Sequence, residues 1–505
     1  MKFRLGAIAI LLCGLAIFPL FGSAQSNGSL QAAQPGASVF SEVDAYIAHE
    51  MKRQHLPGLS LAIVQGDRIL YLKGYGRADS SGRPVTPETP FGLGSIGKSI
   101  TAMAVLQLAE AGKIDLDAPI RRYLPAKISG AEFITARQLL NQTSGFTQIS
   151  TFRNTVSSAI DQDQNEDALE KNAWSYAERF LKQTRPAEHP YRYSNANYVL
   201  LGYIVQQVSG QSYSDYVKEH IFRPLSMNNS FMTLDDAAAH GLAAPYRRLF
   251  GYNAAYDGPY VYIPGDVPAG YMYTSAEDMS HYLIAQLSGG RYEDRSVLSS
   301  EGIRLMQTEP APGTYAMGWM TGRINGMPVI GQPGGSIGFQ AQAYLVPDRQ
   351  LGVIVFSNVL DAIDSTLFKS HIITTTHIAS GVVNLMNGKP AGDSSLSISQ
   401  KYLLVNGLIL LLSAWFLYAA VRTAMRCLGP LRPGHSGRSE ISVKAVSRMI
   451  LNFAGLIIIL ILSTTQVVPI WHIATVYQPD VILWLKAITV LMALKGCMEI
   501  VRLIR

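Results

Sequence analysis

Ser95 and Lys98 stand three residues apart in the stretch FGLGSIGKSI, residues 91 to 100. On a helix, positions i and i+3 share one face about a turn apart, which would set the lysine beside the serine. A serine hydroxyl is a poor nucleophile until a neighbouring base removes its proton. A buried lysine whose pKa is lowered can be that base or assist another. A serine at a helix N-terminus also has free backbone N–H groups and the positive dipole end aimed at a developing oxyanion. The bare pattern has a plainer reading as well, a helix cap followed by a surface lysine.

Two further stretches carry groups suited to the same chemistry. Tyr193 and Asn195 lie two apart in RYSNANYVLLGYIV, residues 192 to 205, and could project from one loop into a cleft. Beside a lysine ammonium the tyrosine pKa is expected to fall, giving a phenolate base. The other reading has Tyr193 packing and Asn195 capping a helix that begins at Ala196. In GQPGGSIGFQAQAYLVPD, residues 331 to 348, a glycine cluster comes immediately before an expected strand. Glycines there let a substrate backbone lie close against an edge strand, and the Gly335 N–H could complete an oxyanion hole with that of Ser95. A plain hairpin turn is the alternative.

These groups need a frame to hold them. After Ser95, IGKSITAMAVLQLAEAG is apolar almost all round and ends near Gly112, the pattern of a buried helix with a glycine cap. Residues 60 to 65 and 68 to 76 read as a hairpin turning at Gly66-Asp67, and residues 342 to 347 and 351 to 358 as another turning at Asp348-Arg349. Strands from both ends of the region predict one antiparallel sheet closed by the two halves of the chain, with a helical middle packed against it.

In this order and spacing the three stretches resemble the serine β-lactamase and penicillin-recognising peptidase family. The branch is that of class C β-lactamases, D-alanyl-D-alanine carboxypeptidases and related esterases. The SxxK signature matches at Ser95-Ile96-Gly97-Lys98, and the Tyr-x-Asn element at Tyr193-Ser194-Asn195. The segments GKIDLDAPIRRYLP (112 to 125), ARQLLNQTSGF (136 to 146), IFRPLSMNNSFM (221 to 232) and PAGYMYTSAEDM (268 to 279) look like family blocks in family order. The resemblance implies an α/β (α+β) fold, an antiparallel β-sheet flanked by helices with an all-helical subdomain. It implies Ser95 as nucleophile, Lys98 as its proton partner, Tyr193 as general base and Asn195 as a contact to the substrate amide. Gln332, Gly334 and Gly335 would bind substrate, the Ser95 and Gly335 amides holding the oxyanion. An acyl-enzyme on Ser95 would then be hydrolysed by water, with no cofactor and no metal.

The third family motif is usually Lys-Thr-Gly or His-x-Gly, whereas this chain has Gln332-Pro333-Gly334. Glutamine donates a hydrogen bond but carries no charge, and proline offers neither hydroxyl nor N–H, so a substrate carboxylate loses its usual clamp. Histidine is also replaced by Gln142 in LLNQTSG, at a position that is usually structural. The expected substrate is therefore a small peptide or ester next to a D-amino acid, such as a cell-wall peptide or a secreted peptide precursor. The alternative is a catalytically weak, penicillin-binding-type envelope peptide binder or sensor.

Both ends of the chain are apolar. Residues 1 to 24 have the basic start, apolar run and small residues Gly22 and Ala24 of a signal peptide. A tether over 25 to 38, a hydrolase domain over 39 to 387 and a linker over 388 to 401 follow. Three transmembrane helices are expected at 402 to 421, 449 to 470 and 481 to 501. Basic residues crowd between the first two spans and are absent between the second and third, which puts the first loop inside and the hydrolase domain outside a bacterial cell membrane. Lys495 and Glu499, four apart in the last span, read as a snorkelling anchor or as a pair. The formal net charge is +6, yet from residue 401 onward there are 11 basic against 3 acidic residues, leaving the outward domain slightly acidic. The basic pI is thus a matter of membrane topology, and no nucleic-acid partner is expected. The three cysteines fall in the signal and membrane segments, so the outward domain has neither disulfides nor thiol ligands.

Overall fold

Alternation along the strands decides which layer each side chain joins. β1 (Gly58–Gln65) and β2 (Arg68–Gly76) form the first expected hairpin. Leu59, Leu61 and Ile63 of β1 enter one core, while Ala62 and Val64 enter the other. Near the far end, β5 (Met320–Ile324), β6 (Met327–Ser336), β7 (Phe339–Val346) and β8 (Leu351–Ser357) follow, with the hairpin β3 (Tyr246–Leu249) and β4 (Tyr252–Ala255) standing apart between the two groups. The main sheet is antiparallel in the order β2-β1-β8-β7-β6-β5. β1 lies against β8 from Leu59↔Ser357 to Gln65↔Leu351, so the two halves of the chain close the sheet as expected.

The computed structural model describes residues 37–125, 131–146, 169–171, 173, 191–256, 264–308, 315–336, 338–360, 374–392, 396–428, 453 and 479–504. Helices cover both faces of the sheet. α1 (Ala37–Arg53) and α6 (Thr374–Met386) cover one through Val43, Ile47, Ile378 and Val382, which share one core with Val353 and Val355 of β8. The other face meets the larger core, built from α2 (Gly97–Glu110), α3 (Asn195–Ser209), α4 (Val267–Gly270) and α5 (Ala276–Leu287). In α2 every residue from Gly97 to Leu106 is buried, which is why its sequence is apolar on all sides.

Two long helices close the chain, α7 (Ile398–Leu428) and α8 (Pro479–Ile504). α7 starts inside the expected linker, and both helices extend beyond the expected spans. The expected middle span lies outside the described residues except for Phe453, as do the signal peptide and most of the tether. Both long helices are long and apolar enough to cross a membrane, and only 6% and 17% of their most apolar windows are buried. Lys495 and Glu499 pair at 3.8 Å, where the bland expectation was snorkelling alone.

Candidate active site

Gly94 has φ +59, a left-handed value that favours glycine, and it starts a 3-10 turn (Gly94–Ile96) leading into α2. A Cβ on Gly94 would lie 2.4 Å from the Gly335 nitrogen of β6. From the α4 side, a Cβ on Gly270 would lie 2.8 Å from the Gly94 carbonyl. The turn is therefore pinched between α4 and the strand, and Ser95 is the one residue of the ten from Phe91 to Ile100 that is not buried.

Lys98, fully buried, comes round one turn later as the i, i+3 spacing predicts. Its Nζ donates to Ser95 Oγ at 3.0 Å and to the carbonyl of Ala269. Burial disfavours the ammonium and lowers the lysine pKa to about 7, with the Asp266 carboxylate pulling the other way. The amine also lies 5.0 Å from the ring centre of Tyr193 and 5.8 Å from that of Tyr198.

Tyr193 reaches the same place from the loop before α3, but its ionisation runs opposite to the expected depression. Burial raises its pKa well above the ordinary tyrosine value, against the lowering effect of hydrogen bonds with the Ser95 and Gln332 side chains. The expectation counted the nearby lysine as a cation and left out the cost of burying a phenolate. At neutral pH Tyr193 is a hydroxyl.

A ring of tyrosines explains that cost. Tyr315 stacks on Tyr191 at 6.1 Å and meets Tyr193 and Tyr198 edge-on at 5.8 and 6.5 Å. The Tyr315 hydroxyl donates to Gln332 Oε1 at 3.1 Å, so the buried Gln332 side chain is turned onto the tyrosines. Gln332 thus supports the tyrosines.

The glycine cluster comes immediately before β7, as expected, and is itself the end of a strand, β6. Its pairing with β5 stops at Gly331↔Met320, leaving residues 332 to 336 paired to β7 on one side and unpaired by β5 on the other. Cross-strand hydrogen bonding to β7 makes a strand of a sequence that reads locally as a turn. A Cβ on Gly334 would lie 2.1 Å from the Leu93 carbonyl, so Gly334 seals the strand against the serine turn. At Gly335 a Cβ would meet nothing within 4 Å, and this residue faces open space.

Asn195 is the first residue of α3 and Ser194 its N-cap, which shifts the expected cap by one residue. The loop ahead of α3 is fastened by Gln142, itself at φ +59. Gln142 Oε1 accepts from the Ser194 N–H at 2.9 Å and from the Asn197 side chain, while its carbonyl accepts from the Arg192 N–H at 2.9 Å. Sequence reasoning assigned this glutamine no part in the site, and it also missed Tyr198, Tyr315 and Ala269. Only the Tyr198 position, one turn after Asn195, carried a local signal. Among the described residues no group of three or more His, Cys, Asp or Glu is placed to hold a metal.

Comparison with known proteins gives the family and the fold. The sequence profile of the Beta-lactamase family matches residues 43–372. The protein flp of Staphylococcus aureus (strain MW2) is 29% identical over 333 residues, which span 63% of this chain and 63% of that protein. The unguisins hydrolase ungD' of Aspergillus campestris is 27% identical over 342 residues, 63% of this chain and 61% of that one. In three dimensions the chain is similar to the octameric penicillin-binding protein homologue from Pyrococcus abyssi. The TM-score is 0.59 at 27% identity, covering 70% of this chain and 78% of the other.

Proposed function

The chain belongs to the Beta-lactamase family, and from that premise we propose that it is a membrane-anchored serine hydrolase acting outside the cytoplasm through an acyl-Ser95 intermediate. One observation carries the reading: Ser95 is left open in an otherwise buried stretch, with a buried amine of pKa about 7 lying 3.0 Å from its hydroxyl.

The steps follow from the ionisation states. Neutral Lys98 keeps one N–H on Ala269 and turns its lone pair to Ser95, taking the hydroxyl proton as Oγ bonds to the carbonyl carbon. The negative charge on the carbonyl oxygen is held by the Ser95 and Gly335 N–H groups. Tyr193, still protonated, relays a proton to the leaving nitrogen or oxygen as its bond to carbon breaks, and Lys98 restores the tyrosine. Water repeats the sequence on the acyl-enzyme. Asn195, at the first turn of α3, holds the substrate amide.

The substrate class is read from the same wall. Gln332 is uncharged and engaged by Tyr315, so β6 offers no cation to a carboxylate next to the scissile bond. This favours an ester or an internal amide beside a D-residue, in a cell-wall peptide or a secreted peptide precursor, over a free C-terminal residue. A relative that bears the name of a hydrolase supports turnover over binding alone.

Membrane anchoring rests on α7 and α8, whose leucines and Trp415 are bare: Leu403 and Leu411 are 73% exposed and Trp415 71%. Such a surface suits a bilayer. Asn406 of α7 and Asp480 of α8 both bond to Phe250, and further along both helices Trp484 donates to Ser413 at 2.9 Å, so the two run in the same direction. Two parallel spans require the chain to return between them, which is what the expected third span supplies.

A panel of D-amino-acid esters and amides, matched with and without a free carboxylate at the scissile residue, tests the proposal. Wild-type full-length protein is expected to hydrolyse the uncharged member of each pair faster, and Ser95→Ala to hydrolyse neither. Binding without Ser95-dependent turnover would favour the envelope-peptide binder.

A further inference from the structure

Outside the cleft, the tip of the β3–β4 hairpin is held from both long helices. Leu249 pairs with Tyr252, leaving Phe250 and Gly251 as a two-residue loop with φ +51 and +95. That is the positive-φ pattern of a tight hairpin turn, and it is unfavourable for phenylalanine. Both backbone groups of Phe250 are taken by side chains from the long helices. Its N–H donates to Asp480 Oδ2 at 2.9 Å, in the first turn of α8, and its carbonyl accepts from Asn406 Nδ2 at 3.1 Å, in α7. A Cβ on Gly251 would lie 3.0 Å from the Tyr402 side chain of α7, a tight contact that adds to the preference for glycine at φ +95. Asp480 is 1% exposed, an acid buried in the first turn of an apolar helix.

The base of the hairpin meets the catalytic sheet. The Tyr246 N–H donates to the Asn358 carbonyl at 2.8 Å, just beyond β8, and the Tyr256 N–H to the Pro245 carbonyl at 3.0 Å. Pro245 abuts the turn between β6 and β7, where a Cβ on Gly338 would lie 2.1 Å from the proline Cβ. Gly335, the residue facing the cleft, is three positions before Gly338 on the strand entering that turn.

We infer that Asp480 and Asn406 are positioning residues for the active-site strand. By locking Phe250 they hold the hairpin, and its base braces the β6–β7 turn, so the helix pair sets the cleft wall as well as anchoring the protein. The inference goes beyond the hydrolase reading and leans on it only for the rate measurement below.

The experiment uses the full chain in detergent micelles and compares wild type with Asp480→Ala, Asn406→Ala and Asp480→Asn, the last of which keeps an acceptor for the Phe250 N–H. Backbone hydrogen exchange is read at residues 246 to 256 and 335 to 340, together with the rate of Ser95 labelling by a fluorophosphonate. Both alanine variants are expected to exchange faster in both segments and to label roughly tenfold more slowly, the scale of one buried hydrogen bond. Asp480→Asn is expected to restore both readouts. Faster exchange confined to 246 to 256, with labelling at the wild-type rate, would overturn the inference and leave Asp480 and Asn406 as glue for the hairpin alone. The exchange comparison decides the matter even where Ser95 does not label, an outcome that counts against the hydrolase reading instead.

Discussion

Lys98 has to be neutral before it can take a proton from Ser95, and burial makes it neutral near physiological pH. Sign matters here. A lysine whose pKa is lowered in the folded protein is protonated and inactive below that value and free above it, so acylation of Ser95 is expected to rise with pH through about 7 and then level off. A flat profile across that range, measured by fluorophosphonate labelling, would remove Lys98 from the role. Lys98→Met is expected to slow labelling by about 10²–10⁴-fold, the usual worth of a positioned base. The local SxxK spacing made this pair legible, because one helical turn is enough to bring the two side chains together. The ionisation of Tyr193 was not legible, since it depends on burial beneath groups distant in sequence, Tyr315 among them.

At the scale of elements, hydrogen bonds decide what local propensity leaves open. The two long hairpins could be read from alternation and turn residues, and each formed within a few residues of its expected place. β6 could not, because Gly331, Pro333, Gly334 and Gly335 look like a turn until β7 supplies partners. Gln142 was passed over for a similar reason: its partners Ser194 and Asn197 lie more than 50 residues away. Replacing it with alanine leaves the buried Ser194 N–H without its acceptor, at a cost of about 1–3 kcal/mol. Gln142→Ala is therefore expected to lower the midpoint of chemical denaturation and to slow Ser95 labelling by loosening the Tyr193 loop. Unchanged stability and labelling would show that the loop holds itself.

For the whole molecule, the proposed topology has the hydrolase domain and the hairpin tip on the outer side of a membrane. Tyr252 is 79% exposed beside the ends of α7 and α8. In a background lacking other cysteines, Tyr252→Cys is expected to react with a membrane-impermeant maleimide on intact cells, and Ser436→Cys only after permeabilisation. The reverse pattern would invert the topology. The expected sidedness rests on charge alone, in the basic cluster between the first two expected spans, whereas the docking of Asp480 onto Phe250 had no signature in sequence.

The most direct test of the central claim is intact-mass spectrometry of the full-length protein after exposure to a fluorophosphonate, with Ser95→Ala in parallel. A single adduct on the wild type that is missing from Ser95→Ala is the predicted result. A folded wild-type protein that takes no adduct, or a Ser95→Ala variant that takes the same one, would contradict the account.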